Sequence, residues 1–310
     1  MLSEMDKRNG LQHFILTRFN LLLWNKDKSG AFVRSKEWLE HRFELFERYC
    51  LQSIIGQTCQ EFEWIVLFDS KTPSNYKDKI EEYKKHCPQL IPVFVEPAKG
   101  RCFAEIFRQE VLKRVQEVQA IQIVQDPSRI SELENTSSFP RVLTSYLDND
   151  DALNVRYVED IQKRALALND GSFISYTHGY QFFTDYNYMM QVSNQKNHFI
   201  SVVESGTPIL LKTVYGYGSH YYIDKIKGSR IEYVNDFPMW CEVIHEKNMD
   251  NDAYFLFGSK MVRDRDYIRN NFSIDQTLNT RGSDYLFRFL PRYIRVFFRR
   301  IRYYFFGRHW

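Results

Sequence analysis

The chain of 310 residues contains no C-x-x-C pair. Its five cysteines (Cys50, Cys59, Cys87, Cys102 and Cys241) are scattered. Such an odd, unpatterned set argues against a zinc site or a disulfide frame, and for reduced thiols in a cytosolic protein. No run approaches the roughly 18 apolar residues of a membrane span. The N-terminus is polar through Gln12, which predicts no signal peptide. There is no G-x-G-x-x-G and no Walker-type glycine loop, so dinucleotide oxidoreductases and P-loop enzymes lose ground. Residues 286–310 hold seven Arg and no acid. Removing those seven from the 42 basic residues leaves 35 against 39 acidic ones, so residues 1–285 carry −4. The positive charge belongs to the tail, which argues against a nucleic-acid-binding body.

What is present describes a globular chain, 44% hydrophobic and 26% charged, long enough for one large domain with appendages. His13 to Thr17 reads as a first buried strand, Phe62 to Phe68 as a second and Leu90 to Val95 as a third. Helical spacing runs from Trp38 to Ile55, Lys77 to Lys85, Arg101 to Val118 and Val155 to Leu168. Ala120–Val124, Phe199–Val203, Ile209–Thr213 and Ile231–Val234 are further strand candidates. Phe173–Tyr176 and Tyr180–Thr184 read as a hairpin around His178-Gly179. Strands alternating with helices predict an α/β fold with an open, largely parallel sheet of nucleotide-binding topology. Such sheets bind ligands at the carboxyl ends of their strands.

The stretch Val142 to Asp151 organises this reading. Five of its first six residues suit a strand, and three carboxylates follow within four residues. If the chain stays extended, Asp148 and Asp150 lie on one side. Oxygen ligands at a strand end suit Mg²⁺ or Mn²⁺ and leave positions for substrate phosphates. The competing reading is an acidic turn capping a helix from Leu153. Thr17-Arg18 and Asp69 also fall at predicted strand ends, which favours the metal.

His-x-x-x-Thr-Arg-Phe-Asn (13–20), Gln-Ser-x-x-x-Gln-Thr (52–58), Phe-x-Trp-Ile-x-Leu (62–67), Leu-Asp-Asn-Asp-Asp-Ala-Leu (147–153) and Trp-x-x-x-x-His-x-x-Asn (240–248) together resemble the rhamnosyltransferases, a bacterial group related to family 2 glycosyltransferases. The similarity covers roughly residues 11–250. It implies a GT-A-like sheet with flanking helices, and transfer of a sugar from a nucleotide-sugar donor (UDP- or dTDP-linked) to a polysaccharide or lipid-linked glycan. Asp148 and Asp150 are then the D-x-D pair. Asp150 is the first metal ligand, and Asp148 contacts the metal, a metal-bound water or the ribose. Asp151 is a supporting group or the helix cap. His245 is a third metal ligand or a phosphate contact. Thr17, Arg18 and Asp69 fall where base and ribose would lie, although Asp69 also suits a turn and Arg18 an ion pair. For the base that takes the acceptor proton, Asp236 leads, with Glu242 and Glu204 behind it. Trp240 is a candidate to stack on the acceptor sugar. One departure stands out: the basic residue expected before Leu147-Asp148 is Tyr146.

In the tail, Arg288, Arg292, Arg295, Arg299 and Arg302 recur every four or three residues. Leu290, Ile294, Phe297, Ile301 and Phe305 follow the same rhythm on another face. This predicts a basic amphipathic helix lying on an anionic membrane, the alternative being a helix packed on its own domain or a twin subunit. The expected organisation is a GT-A-like domain over 1–250, a linker or cover over 251–285 and the membrane-associating tail over 286–310, peripheral at the cytoplasmic face of the cell membrane. A nucleotidyltransferase shares the sheet and the acidic site but would begin with a glycine-rich basic loop, and Thr17 to Asn20 has no glycine. A catalytically inactive membrane-bound scaffold is the remaining alternative.

Overall fold

Hydrophobic residues dominate β1 (Leu11–Arg18), and Ile15 and Leu16 are both fully buried. A strand buried on both faces belongs in the middle of a covered sheet, and β1 lies there. The computed structural model describes residues 10–23, 35–125, 139–245 and 259–282, with 294, 297, 298, 301 and 302. The further strands are β2 (Glu63–Asp69), β3 (Leu90–Val95), β4 (Phe139–Tyr146), β5 (Ala152–Leu153), β6 (Ser172–Tyr176), β7 (His178–Phe183), β8 (Tyr188–Ser193), β9 (Ile200–Gly206), β10 (Arg230–Val234), β11 (Trp240–Ile244) and β12 (Lys260–Met261). They form a seven-stranded sheet, ordered β10-β6-β9-β4-β1-β2-β3, and a five-stranded sheet, ordered β12-β8-β7-β11-β5. β1 runs parallel to β2 and β4, while β9 is antiparallel to β4 and β6. The α/β class and the sheet with flanking helices are as the sequence predicts.

Side chains alternate across the large sheet. Ile15, Trp64, Val66 and Phe68 face α1 (Lys36–Leu45), α2 (Leu51–Ile55) and α3 (Ser74–His86). Phe14, Leu16, Ile65 and Leu67 face α4 (Phe103–Gln125) through Phe107, Val111 and Val115. Ser35 caps α1 by accepting from the Trp38 amide. Between α1 and α2 the helix widens into a π turn over Phe46–Cys50, with Phe46, Tyr49 and Cys50 all buried. Among the described residues, two further α-helices are α5 (Tyr157–Ala167) and α6 (Tyr267–Phe272).

Several expected elements differ. Ala120–Val124 is the last turn of α4 and not a strand; a short β-branched run carries no period that separates the two. β6 and β7 do not form a hairpin: β6 belongs to the large sheet, β7 to the small one, and Thr177 alone joins them. The hairpin partner of β7 is β8, which the polar 187–222 stretch concealed. Ile209–Thr213 is not a strand; Ile209 and Leu210 are exposed, and 3-10 turns follow at Val214–Tyr217 and His220–Lys225. The helix after the acidic stretch starts at Tyr157 with Arg156 at its cap, so Asp151 is not its cap. Within 251–285, β12 pairs with β8, and Ile268, Phe272, Ile274 and Leu278 are buried against Phe182, Met189 and Val243. The C-terminal basic helix expected over 286–310 falls outside the described residues, apart from the five positions named above. Among the described residues, no helix is long and apolar enough to cross a membrane.

Candidate active site

The acidic stretch is the passage from the large sheet to the small one, since β4 ends at Tyr146 and β5 begins at Ala152. One face of the α1–α2 helix holds it down. Arg42 Nη1 donates to Asn149 Oδ1 at 3.2 Å and Asp150 Oδ2 at 2.7 Å. Cys50 Sγ, on the π turn, donates to the Asp148 carbonyl. Ser53 Oγ accepts from the Leu153 amide, and Gln57 Nε2 donates to the Asn154 carbonyl. From the other side, Asn149 Nδ2 donates to the carbonyls of Arg18 and Phe19, tying the ends of β1 and β4 together.

This clamp turns the three carboxylates in different directions. Asp150 lies against Arg42 and against His245 Nε2 at 3.0 Å. Burial opposes its charge, but the Arg42 guanidinium and the His245 bond outweigh burial and hold the carboxyl below its usual range. Asp151 is fully buried, accepts from the Val243 amide at 2.9 Å and meets His198 Nε2 at 2.7 Å. Burial would lower His198, yet the bond and charge of Asp151, with Asp148, raise it. Asp148 is the half-buried member. Tyr146 Oη donates to its Oδ1 at 2.9 Å, and its Oδ2 lies 3.9 Å from His198 Nε2.

The geometry groups side chains other than the expected metal set of Asp148, Asp150 and His245. Among the described residues, one group of oxygen and nitrogen ligands lies within 4.8 Å of one another: Asp148, Asp151 and His198. Asp150 and His245 hold each other instead, with Arg42. A guanidinium already on Asp150 makes that oxygen a poor cation ligand. Two carboxylates and an imidazole are a donor set that fits Mn²⁺, with Asp148 leaving an open side. His198 carries no sequence signal, because it stands in an aperiodic polar stretch. Arg42 carries none either, since a charged residue within an amphipathic helix reads as solvent-facing.

Arg18 reaches this group. Its Nη2 donates to Tyr146 Oη at 2.6 Å and lies 3.6 Å from Asp148 Oδ1. The guanidinium sits over the rings of Phe103 (4.8 Å), Tyr215 (5.1 Å) and Tyr146 (5.6 Å). Such stacking suits Arg, which is weakly hydrated and planar. A cation thus stands beside Asp148 although position 146 is not basic. Glu242, on β11, is 2% exposed and accepts from Gln181 Nε2 at 2.6 Å. Burial raises its carboxyl, as do the charges of Asp150 and Asp148, against the lowering effect of His198 and Gln181.

The other predicted residues lie elsewhere or serve packing. Thr17 is fully buried and accepts from Trp64 Nε1. Asp69 Oδ1 accepts from the Lys71 amide in the turn after β2. Glu204 accepts from the amides of Lys212 and Thr213 and from Tyr217 Oη, pinning that loop. Asp236 is exposed and ion-paired with Arg164 of α5 at 2.8 Å. Trp240 is core: it stacks on Phe199 at 5.0 Å and donates to the Tyr176 carbonyl, so it is not a sugar platform.

The family model described as putative rhamnosyl transferase matches residues 12–254. The chain belongs to this family. The match spans β1, the acidic stretch, His198 and β11, so it contains the whole cluster described above. No curated protein matches the sequence significantly. Among solved structures, the chain is similar to residues 1–349 of S. aureus TarS, alone and in complex with UDP, at 12% identity and a TM-score of 0.38 in each case. Those matches cover 75% of this chain and 60% of the other. A further S. aureus TarS structure is similar at 12% identity and a TM-score of 0.34, over 75% of this chain and 37% of that one. The chain thus spans less than two thirds of the structures it resembles.

Proposed function

We propose that the chain transfers a sugar, rhamnose by family, from a nucleoside-diphosphate donor to a glycan or lipid-linked acceptor. The observation that carries this is the Asp148–Asp151–His198 group, with Arg18 on one side and the buried Glu242 beside it. Asp148, Asp151 and His198 would hold a Mn²⁺ or Mg²⁺ ion, which supplies Lewis-acid neutralisation of the leaving diphosphate. Arg18, fixed by three aromatic rings and Tyr146 Oη, presents a second positive charge to the same phosphates. In this way it supplies the cation that position 146 lacks. Glu242 is the base we favour over Asp236 and Glu204. Burial raises its carboxyl, the direction that favours proton uptake, whereas the other two are occupied by Arg164 and by the 212–217 loop. The acceptor oxygen bonds to the anomeric carbon as the bond from that carbon to the phosphate oxygen breaks. The hydroxyl proton passes to Glu242, and the diphosphate leaves with the electron pair. The Arg-rich segment 286–310 would hold the enzyme at the inner face of the membrane, where lipid-linked acceptors are found.

The test is a melting screen with UDP and dTDP, with and without Mn²⁺, on the parent chain and Asp148→Asn. A ligand at 100 times its Kd stabilises the folded state by about 2.7 kcal/mol. The parent should show a Mn²⁺-dependent rise with one nucleotide. The variant should lose that rise and keep its unliganded melting temperature. A parent that ignores both nucleotides overturns the reading.

A further inference from the structure

Aromatic rings lead outward from the acidic cluster. The His198 ring lies 6.0 Å from that of His220, and His220 lies 4.1 Å from Tyr221. Tyr221 and Tyr222 are 46% and 59% exposed. Lys225 Nζ sits 4.9 Å from the Tyr222 ring, covering one face. Lys196 Nζ ties this turn down by donating to Asp224 Oδ2 at 3.1 Å and to the Tyr221 carbonyl at 3.3 Å.

Beneath the turn is a small cleft lined by Ser175, Lys196, Asn197, His220, Asp224 and Tyr233, among others. Tyr233 is 38% exposed. Ser175 is 1% exposed, and its hydroxyl has no hydrogen-bond partner among the described residues. A buried hydroxyl is ordinarily paired, so Ser175 Oγ keeps hydrogen-bonding capacity for a water or a ligand hydroxyl. Half-exposed tyrosines beside fixed polar groups are amphipathic, apolar on the ring and hydrogen-bonding at the edge. A sugar ring has the same character, with C–H groups on its face and hydroxyls around its rim.

We propose that Tyr221, Tyr222 and Tyr233, with the cleft floored by Ser175, form a carbohydrate platform that seats the acceptor glycan. A ring of the glycan lies on the tyrosines, and one of its hydroxyls enters the cleft toward Ser175 Oγ. The His220–His198 contact sets the direction in which the chain end approaches Asp148 and Glu242. The acceptor role rests on the transferase reading above; the binding of carbohydrate does not.

The test is saturation-transfer NMR on the full chain, without nucleotide, using the methyl glycosides of rhamnose, glucose and galactose. At least one glycoside should bind. The Tyr221→Ala, Tyr222→Ala pair should weaken it about tenfold, as expected for a lost ring contact, whereas the Tyr→Phe pair keeps the binding. Ser175→Ala should weaken binding without changing the melting temperature. The proposal is overturned if no glycoside binds, or if the Ala pair binds as the parent does. It is overturned equally if the Ala pair changes the oligomeric state, because the tyrosines would then meet a second copy. Loss of glycoside binding with nucleotide stabilisation intact leaves the transferase reading standing. Glycoside binding without any nucleotide response removes that reading and keeps the platform.

Discussion

Arg42 Nη1 lies 2.7 Å from Asp150 Oδ2, and both side chains are nearly removed from water, at 6% and 9% exposure. The pair joins α1 to the acidic stretch, and His245 brings β11 to the same oxygen. Asp150 is therefore a tie between helix and sheets. Removing one partner of a buried pair leaves the other charge uncompensated, which costs about 3–5 kcal/mol. Asp150→Asn should lower the urea midpoint accordingly. Combining it with Arg42→Met should cost less than the two single changes added together. An Asp150→Asn variant as stable as the parent would return Asp150 to the candidate metal ligands.

Glu242 and Asp236 separate by chemistry. Glu242→Gln should keep nucleotide and Mn²⁺ binding and lose transfer by about 10²–10⁴-fold, the usual contribution of a general base. Asp236→Asn removes only an exposed partner of Arg164, so activity should hold and stability should move by less than about 0.5 kcal/mol. Initial-rate and melting measurements on both variants decide the assignment.

His13 makes the folded state acid-sensitive. Burial lowers it to about 3, and it lies between Ser145 Oγ at 2.9 Å and the Gln162 side-chain amide at 3.4 Å. Because Gln162 Nε2 can only donate, His13 Nδ1 must accept, and a second proton there would face a donor. Between pH ~6.5 and ~3 the unfolded chain binds the proton and the folded one does not. Stability from this group is therefore complete above the unfolded value and falls as pH drops, by up to about 1.4 kcal/mol per unit. Urea midpoints at about pH 7 and about pH 5 should differ more for the parent than for His13→Asn.

Gly179 is an obligatory gap. A Cβ built there would lie 2.0 Å from a ring carbon of Trp240, which is itself buried and stacked on Phe199. Gly179→Ala must push that ring out of its stack. Overpacking of this kind typically costs about 1–3 kcal/mol, read as a lower melting temperature. An unchanged melting temperature would mean that Trp240 moves freely, against its burial.

The strands of the large sheet were legible because β1, β2, β3 and β4 are apolar runs ended by polar residues. The acidic stretch was legible as a site because three carboxylates follow a strand. Its internal division of labour was not. Asp150 and Asp151 look interchangeable until Arg42, 108 positions away, claims one and His198, 47 positions away, pairs with the other. Extended alternation paired Asp148 with Asp150, but the chain turns after Tyr146 and presents Asp151 instead. Glu204 and Asp236 are plausible bases by type, and their partners, the 212–217 loop and Arg164, are what the sequence does not show. β6 and β7 looked like a hairpin because alternation along a chain says nothing about which sheet each strand joins.

Among the described residues the chain passes between its two sheets at 147–151, across 154–171, at Thr177, at 194–199 and at 235–239. The first of these passages carries Asp148 and Asp151, the fourth carries His198, and β11 after the last carries Glu242. With a single residue at Thr177, neither sheet has slack to drift from the other. The groups proposed to act in the reaction are thus also the joinery of the molecule. Loss of activity and loss of the fold should therefore occur as one cooperative event, with no active intermediate in which either sheet has melted alone.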